Sequence, residues 1–180
     1  MKNPARLLTG AAMLLALAAC QGPVAQVTSP TSSATPGEVN FTTNAYQIIQ
    51  FDREESKLAE TQAKDPRVKA LAAQFGQQAN DFAAKLDPIA AQSGIKPPTE
   101  LRNDLRVRLG QMRIQQGRDF DRMWVSDQIA SHEEEVMMQD QMSGASVSPQ
   151  YAALIKQGQA LVKQNLETLR GLQRQVGTPR

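Results

Sequence analysis

Apolar residues recur every three or four positions along most of the chain after residue 43, which is the spacing of an amphipathic α-helix. The pattern predicts four long helices and a shorter one. Their expected bounds are about 44–64, 66–93, 100–116, 120–142 and 149–175. No stretch alternates between apolar and polar residues for long enough to predict a β-strand. The chain is therefore predicted to be all-α.

Capping residues and prolines set the predicted ends of these helices. Asp65-Pro66 and Ser148-Pro149 each place a capping side chain before a proline in the first turn, a combination that starts a helix. Gly94 is predicted to end the second helix. The remaining predicted boundaries are a cap at Thr99, a break at Gly117 and a cap at Asp119.

Four amphipathic helices of this length, joined mostly by short loops, are typical of a four-helix bundle. The longest connection, residues 94–119, joins the second long helix to the third, and the extra short helix lies within it. It is long enough to lie across one end of the bundle or to carry the chain between non-adjacent corners. A chain of 180 residues has the length of one domain and can bury a hydrophobic core.

The first twenty residues have the organisation of an export signal. Lys2 and Arg6 precede a run without charge over residues 7–19. That run is too short to cross a bilayer, which takes about 20 residues, but it suits a secretory signal. It ends in Leu17-Ala18-Ala19-Cys20, which resembles the lipobox of bacterial lipoproteins. The alternative is an ordinary signal peptide that contains a cysteine by chance.

The lipobox resemblance implies that residues 1–19 are removed and that Cys20 is lipidated. Cys20 is the only cysteine, which excludes an intrachain disulfide and a cysteine-rich metal site. Gln21 rather than Asp follows it, which by resemblance to lipoprotein sorting implies the outer membrane. We therefore expect an outer-membrane lipoprotein that faces the periplasm and contacts the membrane through Cys20.

Composition and charge complete the predicted organisation. Residues 20–43 are rich in Pro, Ser and Thr and cannot bury enough apolar surface to fold. The predicted domains are a signal peptide at 1–19, a lipidated Cys with a disordered tether at 20–43, and a helical bundle at 44–176. Without residues 1–19 the chain has 18 basic and 18 acidic residues, so its formal net charge is zero. No excess of positive charge indicates nucleic acid as a partner.

Several segments of the predicted bundle are similar to a known family. They are Lys57-Leu58-Ala59, Asp65 to Ala70, Asp119-Phe120-Asp121-Arg122-Met123-Trp124, and His132, eight residues after Trp124. Over about residues 43–175 the chain resembles the ferritin-like bacterial envelope family catalogued as domain of unknown function 4142, or predicted outer membrane protein. The resemblance implies a ferritin-like four-helix bundle. It also implies histidines in the second, third and fourth helices, but Ala79 and Asn165 stand at two of those three positions.

Four polar residues on different predicted helices form the candidate site: Asp52, Glu55, His132 and Asn165. Each lies on the inward face of its helix, so they can converge inside the bundle. They form either a vestigial metal or ligand site or a buried polar cluster, because buried polar groups must be paired. Ferritin-like di-iron proteins need Glu-x-x-His motifs on two helices, and Ile129 stands three residues before His132. We therefore predict no metal.

Three other patterns suggest chemistry but also have simpler interpretations. The run His132–Val136 begins like a zincin motif but lacks its second histidine, so it is predicted to be a solvated face from which one glutamate approaches the bundle. Methionine at helical spacing is more typical of a core than of a copper site. The methionines concerned are Met137, Met138 and Met142. A basic segment either contacts anionic lipid or is a solvated helix with ordinary ion pairs. Its arginines are Arg102, Arg106, Arg108 and Arg113.

The sequence also excludes several kinds of enzyme. It has one histidine, no Gly-rich phosphate loop, and no Ser or Cys nucleophile set beside a histidine and an acid. We predict a lipid-anchored periplasmic bundle with a structural, interaction or ligand-binding role, with no catalytic residue and no cofactor, and with an envelope protein as an expected kind of partner. The alternative is a metal- or small-ligand-binding ferritin-like domain with a reduced ligand set.

Overall fold

The structure, a computed structural model, describes residues 34–142 and 144–176. This part of the chain folds into five α-helices and contains no β-strand. They are α1 (Pro36–Gln62), α2 (Pro66–Gln92), α3 (Asn103–Arg113), α4 (Gly117–Met142) and α5 (Pro149–Val176). The all-α prediction is confirmed, as is the short helix between the second and third long ones. The predicted signal peptide and Cys20 lie outside the described residues.

The long helices pack as two hairpins, α1 with α2 and α4 with α5. The chain crosses from one hairpin to the other through residues 93–116, which run along α1. Gln47, in the first half of α1, bonds the backbone just before α3. Gln62, the last residue of α1, bonds the backbone at the end of α3. A backbone bridge joins Ala63 to Gly117, so α4 begins beside the end of α1 and runs in the same direction as α2.

Helix α1 begins at Pro36, not at about Asn44, so the predicted tether of residues 20–43 is wrong over its last part. Thr35 forms a capping box with Glu38: the Thr35 hydroxyl accepts from the Glu38 N–H, and the Glu38 carboxylate accepts from the Thr35 N–H. The same carboxylate accepts from the Ser148 N–H at 2.8 Å. The tether prediction followed composition and missed this local signal.

Two predicted caps are also wrong. Helix α3 has no side-chain cap and starts at Asn103, well after Thr99. Helix α4 starts at Gly117, whose φ of 62° suits glycine, so Asp119 lies within the first turn and pairs with Arg122 instead. The capping acid of this region is Asp121, which is buried and accepts from two backbone N–H groups in the turn between α1 and α2. The starts predicted at Asp65-Pro66 and Ser148-Pro149 are confirmed.

The bundle interior is divided into two apolar clusters. The larger one surrounds Trp124 and lies towards the end of the bundle that carries α3. The other surrounds Phe41 and Tyr151 at the opposite end. Between them a band of buried or half-buried polar side chains crosses the core, and we call it the polar layer. Its members are Asp52, Glu55, Gln78, Gln128, His132, Glu135, Gln139 and Asn165.

None of the described helices combines the length and the apolar character that crossing a bilayer requires.

Helices α1 and α2 lie very close together at Gly76. A Cβ atom at this position would lie 2.6 Å from the Ser56 Oγ and 2.9 Å from the Ser56 Cβ. The Ser56 hydroxyl can rotate away, but the Ser56 Cβ is fixed by the backbone. We expect Gly76→Ala to lower the free energy of unfolding by about 1–3 kcal/mol through overpacking. Urea unfolding followed by circular dichroism measures this change.

Gly110 is the matched control because it lies in α3 with open space around its Cβ direction. Gly110→Ala should leave the free energy of unfolding unchanged or raise it by up to about 1 kcal/mol, since alanine favours helix more than glycine does. Adding Ser56→Gly to Gly76→Ala should recover much of the loss. A stabilising effect of Gly76→Ala would contradict the close approach of the two helices.

Candidate functional site

The structure brings together the four residues that the sequence singled out. Asp52 and Glu55 face the interior from α1, His132 faces it from α4, and Asn165 faces it from α5. Glu55 and His132 are almost completely buried. The residues do not contact one another as one group, because Gln128 of α4 connects them. The centre of the group is therefore a residue that the sequence did not lead us to single out.

Gln128 forms the centre of the polar layer. Its Nε2 donates to the Glu55 carboxyl group and, at 3.3 Å, to the Asp52 Oδ1. Its backbone carbonyl lies 2.9 Å from the His132 Nδ1. A carbonyl oxygen can only accept, so Nδ1 carries the ring proton. Gln128 therefore links the acids of α1 to the histidine of α4.

His132 is held as a neutral ring. With the proton on Nδ1, the Nε2 accepts from the Asn165 Nδ2 at 3.3 Å. Asn165 in turn exchanges two hydrogen bonds with Gln78 of α2, at 2.8 and 3.4 Å. The ring also packs on Phe75, with the centroids 5.1 Å apart. Burial lowers the pKa of His132 to about 4, so the ring is uncharged at neutral pH.

An ion pair lies beside the polar layer. Arg108 of α3 donates to both carboxylate oxygens of Asp127 at 2.8 Å and to the Ser131 hydroxyl at 2.7 Å. Its guanidinium also lies 4.8 Å from the centre of the Phe51 ring. Of the four arginines in the basic segment, Arg108 is therefore not a solvated side chain, whereas the other three are exposed.

The acids of the polar layer favour their protonated forms. Burial raises the pKa of Asp52 to about 7. Burial, and then the charge of Asp127 and a hydrogen bond with it, raises the pKa of Glu55 well above its ordinary value. Burial, together with the charge of Asp52, does the same for the pKa of Glu135. All three shifts have the same first cause, which is removal of a carboxylate from water.

A cavity of about 70 Å³ adjoins these groups, between the two hairpins. One water molecule needs roughly 10–15 Å³, and an apolar cavity of roughly 150 Å³ can admit benzene, so this space suits a molecule of a few heavy atoms. Asp52, His132 and Asn165 line it, and the side chains of Phe41, Phe75 and Phe82 are among its apolar walls.

Two polar residues in the cavity wall, Glu135 and Gln139, are not among the four predicted site residues. Glu135 is the one glutamate of the run 133–135 that approaches the interior, as the sequence led us to expect, while Glu133 and Glu134 are exposed. Gln139 is only 4% exposed, and its Oε1 has no hydrogen-bond partner in the described structure. Extending the stripe of His132 by one turn in each direction would have found Gln128 and Glu135, and a second turn towards the C-terminus would have found Gln139.

The described residues contain no group of three His, Cys, Asp or Glu side chains arranged to hold a metal ion. The three methionines lie in different surroundings and do not gather at one point: Met142 is buried in the core, Met138 lines the cavity and Met137 is exposed. The groups that the cavity wall offers are therefore hydrogen-bonding side chains and acids that can be neutral or charged.

Fold and site define an all-helical bundle protein with a polar layer and a cavity between two helical hairpins. The family described as Domain of unknown function (DUF4142) matches residues 23–172, and the chain belongs to this family. A crystal structure of a DUF305 fragment from Deinococcus radiodurans is similar in fold, with a TM-score of 0.71 at 14% identity, over 79% of this chain and 99% of that chain. No curated protein matches.

Proposed function

We propose that the protein is a lipid-anchored component of the bacterial outer membrane whose periplasmic bundle binds a small ligand between its two hairpins without catalysing a reaction. The observation that carries the binding role is the cavity. Its wall contains the carboxyl groups of Asp52 and Glu135, and Glu135 forms no hydrogen bond or ion pair with another side chain of the described residues. Polar groups inside a protein need partners, and a bound molecule with donor groups would supply them.

The anchor follows from the lipobox that ends at Cys20. Residues 21–35 separate Cys20 from the first residue of α1, and fifteen residues cannot span more than about 50–60 Å even when fully extended. The start of α1 would therefore be the part of the bundle held nearest to Cys20 along the chain, and the loop before α5 lies beside it. An envelope protein remains a proposed partner for the exposed faces of the bundle.

We also propose that the bundle is ferritin-like. Helices α2 and α4 run in the same direction and are joined by one long crossover that contains α3, which is the connectivity of ferritin-like bundles. A small ligand is preferred to a metal because no group of three acidic, His or Cys side chains in the described residues is arranged to hold an ion.

A titration followed by ¹H–¹⁵N NMR tests the binding role. Ethylammonium, ethanol, acetate and acetamide are added separately, and we expect at least one of them to shift the resonances of cavity residues. Ala79→Leu fills the cavity from α2 and should abolish those shifts. Ala84→Leu, on the exposed side of the same helix, should leave them unchanged. Absence of any cavity shift with all four compounds would refute the binding role.

Cys20→Ser tests the anchor. We expect the variant to lose lipid labelling and to leave the outer-membrane fraction, because several buried acyl chains stabilise attachment by about 0.8 kcal/mol for each CH₂ group. Radiolabelled palmitate incorporation and membrane fractionation measure the two effects. If the variant still fractionates with the outer membrane as the wild type does, the lipid anchor is wrong.

A further inference from the structure

The charge of the cavity wall limits what it can bind. Asp52 and Glu135 are its two carboxyl groups, and no Lys or Arg lines it. The His132 ring contributes no positive charge, since it donates through Nδ1 to a backbone carbonyl and accepts through Nε2. The nearest guanidinium, that of Arg108, is held by Asp127. An anion entering the cavity would meet two acids and no cation.

The acceptors of the wall also lack donors. Among the described residues, Glu135 forms no hydrogen bond or ion pair with another side chain, and the Oε1 of Gln139 has no partner. Asp52 receives one hydrogen bond, from Gln128 at 3.3 Å. A primary ammonium group carries three donors and no acceptor. It would therefore complement the two carboxyl groups, whereas an apolar molecule would leave the Glu135 carboxyl group without a partner.

The rest of the wall suits the carbon atoms attached to such a group. Three aromatic rings line the cavity, and the face of an aromatic ring attracts a cation. Aliphatic side chains complete the wall, namely Ile48, Ile49, Leu161 and Val162. The volume of about 70 Å³ limits the ligand to a few heavy atoms.

We propose that the cavity between the hairpins is a binding site for a small organic cation, a short-chain primary amine in its ammonium form, which Asp52 and Glu135 hold while the aromatic rings contact its carbon atoms. This inference rests on the ligand-binding role proposed above and specifies the chemical class of the ligand. Binding requires that Asp52 and Glu135 lose their protons, so it competes with protonation.

Other titratable groups near these acids take part in that competition. They are Glu55 of α1, Arg108 of α3, and Asp127, His132 and Glu134 of α4, while α2 and α5 contribute the amides Gln78 and Asn165. Because carboxylates must be charged to hold the ammonium, affinity should rise between pH 5 and pH 8. Ethylammonium chloride is the probe, and sodium chloride at the same concentration controls for ionic strength.

Two variants and a control decide the assignment. Asp52→Asn and Glu135→Gln should each weaken ethylammonium binding at pH 8 by at least about tenfold, the effect of losing one charge-assisted hydrogen bond. Glu133→Gln, an exposed neighbour that pairs with Arg170, should leave the affinity unchanged. Circular dichroism establishes that each variant is folded, and the two variants test the site independently.

Three results would overturn the inference. Ethanol, acetamide or acetate binding in the cavity as tightly as ethylammonium would refute a cation site while leaving the ligand-binding role intact. Zn²⁺ or Mn²⁺ binding there more tightly, with the same sensitivity to both variants, would make the site a metal site. Ethylammonium affinity that neither variant changes would also refute it. Absence of cavity shifts with every compound would instead refute the proposed function itself.

Discussion

Arg108→Ala is expected to lower the free energy of unfolding by about 2–4 kcal/mol, since it leaves a largely buried carboxylate without its partner. Arg108 and Asp127 are each only 18% exposed in their side chains and share two hydrogen bonds. The substitution also removes the guanidinium from the Phe51 ring. Urea unfolding followed by circular dichroism measures the loss.

Arg106 is the control because it lies two residues away on the same helix and is 56% exposed. Arg106→Ala should change the free energy of unfolding by less than about 0.5 kcal/mol. The double variant Arg108→Met with Asp127→Asn should recover at least half of the loss, because no unpaired charge is left. An equal, small effect of the two arginine-to-alanine substitutions would show that Arg108 is a solvated residue after all.

The stability of the protein is expected to fall as the pH rises from about 5 to 7, the reverse of the behaviour of a protein stabilised by ionised acids. The pKa of Asp52 is about 7 in the folded chain, and those of Glu55 and Glu135 are also raised. In this range the folded chain holds protons that the unfolded chain has released. Each such proton lowers the free energy of unfolding by up to about 1.4 kcal/mol per pH unit.

His132 acts in the opposite direction over a lower range. Its pKa falls from 6.5 to about 4 on folding, so the unfolded chain binds the extra proton between those values, and this contribution makes stability rise with pH. Above about pH 6.5 His132 is neutral in both the folded and the unfolded chain, so it no longer offsets the effect of the buried acids. The decline should therefore be steeper above pH 6.5 than below it, until Asp52 is fully ionised.

Asp52→Asn provides the direct test of this pH dependence. It removes one of the titrating acids, so the slope of unfolding free energy against pH between about 5 and 7 should become less negative by up to about 1.4 kcal/mol per pH unit. Glu133→Gln changes an exposed acid in an ion pair with Arg170 and should leave the slope as it is. A stability that rises steadily from pH 5 to 7 would contradict the buried, protonated acids. Denaturant unfolding at a series of pH values measures these slopes.

The buried polar layer also connects the stability of the protein with binding of the proposed ligand. A polar layer across the core lowers stability relative to an apolar one, because each buried polar group must be desolvated and paired. A ligand that binds only the folded chain restores stability in proportion to its concentration and affinity. The shape of the pH profile should therefore change when the cavity is filled.

Local sequence signals were sufficient for most of the helical architecture. The spacing of apolar residues and the Asp65-Pro66 and Ser148-Pro149 starts depend on neighbours within a few positions, and the structure has helices there. The same spacing placed Asp52, Glu55 and His132 on inward faces. The start of α1 was also visible as a Thr-x-x-Glu capping box, although composition suggested a tether.

The remaining features depend on contacts between residues that are far apart in the chain. Asp121 rather than Asp119 caps a backbone turn because α4 happens to begin beside the end of α1, more than fifty positions earlier. Arg108 is buried because α3 lies along α1 and brings it to Asp127. Periodicity shows which face of a helix points inward, but not which side chain of another helix it meets. The hydrogen bonds that make Gln128 the centre of the polar layer form only when the two hairpins pack together, and so does the cavity. The distances between these side chains depend on how all the long helices are placed.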